Sequence, residues 1–322
     1  MLVYTAFPTR NHYWDSIGFA LNIEGVAVDS SGLALYSHQM GEVSRIYFNP
    51  NHLLYNLLGY LIYMPVHGIF PSVRALAVLA AVNMTLSTVT ALLVFLMLAR
   101  WSGDLRFSLW LTLLMAFSAT WWKFSTDANA YVPSVCLLVA CTFLLSDPQR
   151  RPPVAAIGLL HALGILVHQI SVLFFPAAVV AVWTHSHWRS GEGRRKAAVV
   201  YMLAAGLPVI AAYFWVWFGA LDREWSLPAF LEWITYNGSD VYSYRSVVSS
   251  VLATFRSLVK VFFGGRISLG LKIVGTPLLV PMLVVMLVAL ACLLAGIGKM
   301  CAAPRRIGPF LDERFSKKFL AT

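Results

Sequence analysis

The feature that most limits how this chain can fold is a series of long runs without Asp, Glu, Lys or Arg, at about 75–99, 107–122, 130–146, 154–184, 197–218 and 276–298. A helix that crosses a ~30 Å hydrocarbon core takes roughly 20 predominantly apolar residues, so most of these runs read as spans. The run 154–184 would make a helix of about 46 Å at 1.5 Å per residue. It is therefore expected to form two short helices that turn near His168–Ser171. Composition agrees: 59% of the residues are hydrophobic and 12% are charged, whereas soluble domains are charged at about a quarter of positions. The expected fold class is an all-α polytopic membrane protein with about seven transmembrane helices.

The net charge of +10 does not point to nucleic acid, because the basic residues sit in short clusters between apolar runs. Lys and Arg near span ends accumulate on the cytoplasmic side. The loops carrying Arg100 and Arg106, Arg150 and Arg151, Arg189 with Arg194–Lys196, and Lys299 with Arg305 and Arg306 alternate with loops poor in such residues. The stretch around Asp15, the loop around Asp127 and the segment 219–274 are thus expected on one non-cytoplasmic face. The expected location is the plasma (inner) membrane, in multi-pass form, with membrane lipids as partners. Met1–Pro8 has neither the basic start nor the apolar core of a cleavable signal, so insertion is expected to rely on internal spans.

Residues 25–50 read as loop, rich in Gly, Ser, Asn and Pro. The run His52–Val66 is too short to span, is closed by Pro65, and is expected to lie at the interface with Tyr55, Tyr60 and Tyr63 at headgroup level. The organisation is then an external loop and interfacial helix over 1–74, a bundle core over 75–218, an external amphipathic segment over 219–275, a last span over 276–298 and a basic cytoplasmic tail over 299–322. Cys136, Cys141, Cys292 and Cys301 lack the close spacing of a metal or redox site and read as packing residues.

The densest ionisable stretch is Pro8–Glu24, which holds Arg10, His12, Asp15 and Glu24. Three features follow one another in order. Trp14-Asp15-Ser16 precedes Asn51-His52-Leu53-Leu54-Tyr55-Asn56-Leu57-Leu58-Gly59; polar residues precede a tyrosine in Trp122-Lys123-Phe124-Ser125-Thr126-Asp127-Ala128-Asn129-Ala130-Tyr131; and Gly158–His168 suggests a short-helix pair. Over roughly residues 8–218 this order resembles the C-type (GT-C) integral-membrane glycosyltransferases of the protein-mannosyltransferase-like superfamily. The resemblance implies inverting transfer of a sugar from a polyprenyl-phosphate donor to an acceptor on the non-cytoplasmic face, with an acidic residue as base. It places Asp15 as that base, with His52, Lys123, Asp127, Tyr131 and His168 as substrate-binding residues. Arg245 or Arg266 would clamp the donor phosphate, because a guanidinium binds phosphate bidentately. No cofactor is fixed by the residues; a divalent cation is conceivable, but no acidic partner is paired with Asp15. The family begins with a transmembrane helix ahead of the acidic loop, and Met1–Phe7 reads like the last turns of one, so the chain is expected to lack that first helix.

Each candidate also has a plain structural reading. Asp15 would cap the helix suggested by Ile17–Ile23, Lys123 and Asp127 would be an ordinary ion pair, and His52 and His168 would be a polar helix start and a packing residue. Glu24 and Asp29 would be solvated. Two rival functions stand beside the transferase: a transporter or permease, and a non-catalytic or truncated membrane subunit. The near absence of ionisable residues inside the spans argues against an ion or proton path.

The loop charges make a topological prediction. A cysteine introduced at Ser190 is expected to react with a membrane-impermeant maleimide only after permeabilisation, whereas one at Ser239 reacts in intact cells. The opposite pattern would place the segment 219–274 on the wrong face for the proposed site.

Overall fold

The structure, a computed structural model, describes residues 1–28, 34–36, 48–148, 150–188 and 190–235, with the isolated positions 284 and 291. The expected span 276–298, the tail, most of the amphipathic segment and Cys292 and Cys301 lie outside the described residues. The fold is helical, as expected, with one short ribbon. In chain order the helices are α1 (Leu2–Ala6), α2 (Trp14–Ile23), α3 (Tyr55–Ile69), α4 (Ala75–Ser102), α5 (Leu105–Ala116), α6 (Ala119–Ser125), α7 (Tyr131–Leu145), α8 (Val154–Val167), α9 (Phe175–Thr184), α10 (Gly191–Trp215) and α11 (Leu227–Thr235). Two helices, over Ala75–Ser102 and Gly191–Ala220, are long and apolar enough to cross a membrane.

The chain divides into two compact units. The first comprises Met1–Thr90 and Lys123–Arg245, and the second contains Ala91–Trp122 among the described residues. In the first unit, α2 ends at Glu24 and the chain turns at Gly25, whose φ of +69° favours a residue without a side chain. Strand β1 (Val26–Val28) then pairs antiparallel with β2 (Ala34–Tyr36), Val26 opposite Tyr36. This ribbon replaces part of the expected loop. A 3-10 turn over Pro50–His52, capped by the Asn49 side chain accepting from the Asn51 N–H at 2.9 Å, leads into α3. Helix α3 does not stop at Pro65 as expected. Proline removes one N–H donor and crowds the preceding turn, yet the helix continues to Ile69, where the Phe70 N–H closes on the Val66 carbonyl at 2.8 Å.

Burial of one face of α2 joins these pieces. Phe19, Ala20 and Ile23 pack with Tyr55 and Tyr63 of α3 and with Ala75, Val78 and Leu79 of α4. Gly59 makes this close approach possible, since a Cβ there would lie 2.6 Å from Ile23 Cδ1. A second cluster joins Cys141 of α7 and Ile157 of α8 to Ala178 and Val182 of α9 and Ala197, Tyr201 and Ala205 of α10. The expected break in the run 154–184 is present: α8 stops at Val167, His168 is extended, and a 3-10 turn over Gln169–Phe174 precedes α9. His161 inside α8 is a satisfied core residue. Its Nε2 lies 2.9 Å from the Ser171 carbonyl and its Nδ1 2.6 Å from the Tyr201 hydroxyl. Cys136 and Cys141 are buried free thiols, as expected of packing residues. A third cluster gathers Leu53, Leu166, Tyr213, Trp217 and Phe230, where α10 passes through a π-turn (Val216–Ala220) and the chain folds back as α11.

In the second unit, Gly103 at φ +66° ends α4 and Asp104 caps α5, its Oδ1 accepting from the N–H groups of Arg106 and Phe107 at 3.0 Å each. The single helix expected over 107–122 is broken. The Phe117 N–H bonds to Leu113 and the Ser118 N–H to Met115, which closes α5 before α6 begins.

Helices α8 and α10 approach closely because Gly158 faces Ala204 and Ala205, small residues that let two helix backbones meet. A Cβ at Gly158 would lie 2.6 Å from Ala204 Cβ and 2.9 Å from the Tyr201 carbonyl oxygen. Gly158→Val is therefore expected to cost about 1–3 kcal/mol through overpacking, read as a lower Tm in detergent. Gly206→Ala, in the same helix pair but with no atom within 4 Å of the new Cβ, is expected to hold or raise the Tm.

Candidate functional site

Helix α1 ends at Ala6, and Phe7, the residue before Pro8, leaves the helical region, so Thr9–Tyr13 runs as an arm to α2. One carboxylate captures this arm. Asp127, fully buried in the loop between α6 and α7, accepts at Oδ1 from His12 Nδ1 at 2.7 Å and its neighbour Ala128 N–H at 3.0 Å. At Oδ2 it accepts from the Tyr13 N–H at 3.1 Å and Lys123 Nζ at 3.0 Å. A carboxylate offers about four acceptor positions, and all are used within the protein. Burial pushes the Asp127 carboxyl up, but the bonds from His12, Lys123 and the Tyr13 N–H, with the Lys123 charge, more than offset this and hold it below the usual carboxylate range. Lys123 also donates to Thr9 Oγ1 at 3.0 Å and lies 4.7 Å from the centre of the Tyr13 ring.

The loop is fixed from beneath by two asparagines. Asn83, in the middle of apolar α4, donates to the carbonyls of Asp127 at 2.6 Å and Asn129 at 3.0 Å. Asn129 accepts from the Tyr131 and Val132 N–H groups and so starts α7. Tyr131 is thereby placed over His168, ring centres 4.4 Å apart. His168 meets His52 edge-on at 4.5 Å, and His52 meets Phe19 of α2 at 5.1 Å. From Tyr13 through Phe124, Tyr131, His168 and His52 to Phe19 the rings form one continuous chain.

Asp15 sits at the exposed edge of this cluster. It is not the helix cap expected from the sequence: Tyr13 occupies that position and Asp15 falls in the first turn of α2. There a carboxylate gains from the helix dipole while remaining open to solvent. It lies within electrostatic reach of both His52 and Tyr131. Burial lowers the His52 pKa, against the opposing pull of the Val167 carbonyl and the Asp15 charge. Burial, and then the neighbouring His52, push His168 down to about 3. The cluster thus offers an exposed carboxylate, two imidazoles, a tyrosine and an ammonium group.

The structure therefore gathers Asp15, His52, Lys123, Asp127, Tyr131 and His168 in one place, though they span more than 150 positions. Arg245 and Arg266, like Asp29, lie outside the described residues. Glu24 is not solvated as expected. Its Oε1 accepts from Arg74 Nε at 2.9 Å and from the Ala75 N–H at 2.8 Å, so it caps α4. Burial raises the Glu24 pKa, but the Arg74 and Ala75 bonds with the Arg74 charge bring it below the ordinary value. Among the described residues no group of three or more His, Cys, Asp or Glu is placed to hold a metal ion. Sequence reading missed Tyr13, Asn83 and Asn129 as site-building residues. The signal for Asn83 was present, an amide inside a run that otherwise has little use for one.

The Asp127 clamp predicts an acid-sensitive arm. Its folded pKa lies below the unfolded one, so its contribution is complete above the unfolded value near 4 and is lost as pH falls through the folded value. Asp127→Asn is expected to cost about 2 kcal/mol or more at neutral pH and to flatten this acid loss. Thermal unfolding in detergent from pH 3 to 7 measures both; equal acid slopes in the two proteins would show that another group dominates. Comparison of the chain with protein-family models, with curated proteins and with solved structures found no match.

Proposed function

We propose that this protein is a multi-pass membrane glycosyltransferase that moves a sugar from a polyprenyl-phosphate donor to an acceptor on the non-cytoplasmic face. The observation that carries this reading is the placement of Asp15. It is an exposed carboxylate in the first turn of α2, within electrostatic reach of His52 and Tyr131 in a cluster assembled from four separate parts of the chain. Asp15 acts as general base: it takes the acceptor's proton as the acceptor oxygen attacks the sugar C1, and the lipid phosphate leaves with inversion. Lys123 keeps one of its three ammonium donors for substrate, while His52, Tyr131 and His168 line the space beside the carboxylate.

The surface supports a membrane setting. Large apolar side chains stand exposed on α8, α9 and α10, among them Leu159, Val180, Trp183, Leu203, Leu207 and Ile210, a surface that suits a lipid environment. Between α3 and α4 runs an open apolar groove of about 470 Å³, lined by Ile62, Val66, Val73, Val78, Val82 and Leu86, which suits the hydrocarbon of a lipid-linked donor. The shorter apolar helices, including α5, α7 and α8, are further spans in this reading.

Asp15→Asn separates chemistry from structure. An amide in the first turn forfeits only the dipole interaction, at most about 1 kcal/mol, so insertion and Tm should be nearly unchanged. Loss of a general base is expected to lower turnover by roughly a hundredfold or more. Asp15→Glu, which moves the base by one methylene, should keep part of the activity. Turnover against a panel of polyprenyl-phosphate sugars is the measurement, and near-normal transfer by Asp15→Asn would remove Asp15 from the mechanism.

A further inference from the structure

The two imidazoles at the centre of the ring chain each keep one buried nitrogen without a partner. The Ile170 N–H points at His168 Nδ1, 3.3 Å away, so that nitrogen is the bare acceptor and the proton sits on Nε2. His52 Nδ1 is likewise buried and without a partner. Two sealed atoms thus remain with nothing to bond, the His168 Nε2–H donor and His52 Nδ1, on rings 4.5 Å apart at 79°. A buried donor or acceptor left alone carries its full desolvation penalty, so such a pair is selective for whatever satisfies both atoms.

We propose that His52 and His168 together form a subsite for one neutral hydroxyl group of the substrate, which accepts from His168 Nε2–H and donates to His52 Nδ1. A hydroxyl has one donor and two acceptor lone pairs and matches this pattern. A phosphate oxygen does not, because the bare His52 nitrogen would face its negative charge. The low pKa of His168 supports the neutral pattern. The hydroxyl is held rather than deprotonated, so Asp15 remains free to act on the attacking oxygen. Tyr131, with 40% of its surface exposed, is the cover over His168 through which a ligand would enter. The inference rests on the transferase reading only for whether the hydroxyl belongs to the sugar donor or to the acceptor.

Nitrogen-15 NMR of histidine-labelled protein in lipid nanodiscs tests it without any sugar being transferred. The expected spectrum shows His168 neutral and protonated on Nε2, with His52 bare on Nδ1. Methyl glucoside is expected to displace these two resonances and inorganic phosphate is not, while His161, both of whose nitrogens are bonded, serves as the fixed reference. His168→Gln keeps an N–H donor and should bind within a few-fold of the parent, whereas His168→Leu should weaken binding by roughly tenfold or more. A proton on His168 Nδ1, no displacement by methyl glucoside, or displacement by phosphate instead would each overturn the subsite. In turnover, a KM rise in His168→Leu confined to the polyprenyl-phosphate sugar assigns the hydroxyl to the donor, and one confined to the acceptor assigns it there. Intact displacement in a protein that transfers no sugar would sink the transferase reading and leave the subsite standing.

Discussion

The buried carboxylate of Asp127 is the interaction on which the site depends. Its four bonds reach the arm through His12 and the Tyr13 N–H, α6 through Lys123, and the loop's own backbone at Ala128. A buried charge is tolerable only when it is paired and its lone pairs are met, so this single group dictates where the arm must lie. The cap residue of α2 is Tyr13, held by that same carboxylate. The direction of α2, and with it the position of Asp15, therefore follows from a bond made 114 residues away.

Two aspartates in one site thus take opposite parts because of their surroundings. Asp127 has spent all its acceptor capacity on the protein, and its charge is neutralised at once by Lys123. Among the described residues Asp15 has no such partners; it stays in contact with solvent and borrows favourable potential from the helix end. A saturated carboxylate can hold a fold but has no lone pair for a substrate. An open one on a rigid element can accept a proton, and the ring chain from Tyr13 to Phe19 fixes what stands beside it.

Glu24 plays the corresponding part on the other end of α2. It caps α4 and pairs with Arg74, while the face between, Phe19 to Ile23, is packed against α3 over Gly59. Helix α2 is held at both ends by carboxylate contacts and along its side by apolar burial, which gives a ten-residue helix far more definition than its own propensity supplies. The small residues at Gly158 and Ala204 do the same for α8 and α10 by letting the backbones meet.

The sequence by itself determined the helical class, the helix positions in α4, α7, α8 and α10, and the turn at His168. Each of these rests on local information: the length of an apolar run, the reach of 1.5 Å per residue, and the cost of leaving backbone groups unpaired in an apolar setting. It also singled out six ionisable and aromatic residues that the fold brings together, because such groups are conspicuous in a chain so poor in charge. Only the tertiary structure decided what they do. That Asp127 is saturated, that Glu24 is a cap, that Tyr13 rather than Asp15 starts α2, and that the His52 and His168 rings meet edge-on are all consequences of contacts between residues from 50 to more than 100 positions apart. Hydrogen-bond capacity is counted atom by atom in three dimensions, and periodicity along a chain carries no record of which distant partner has used it.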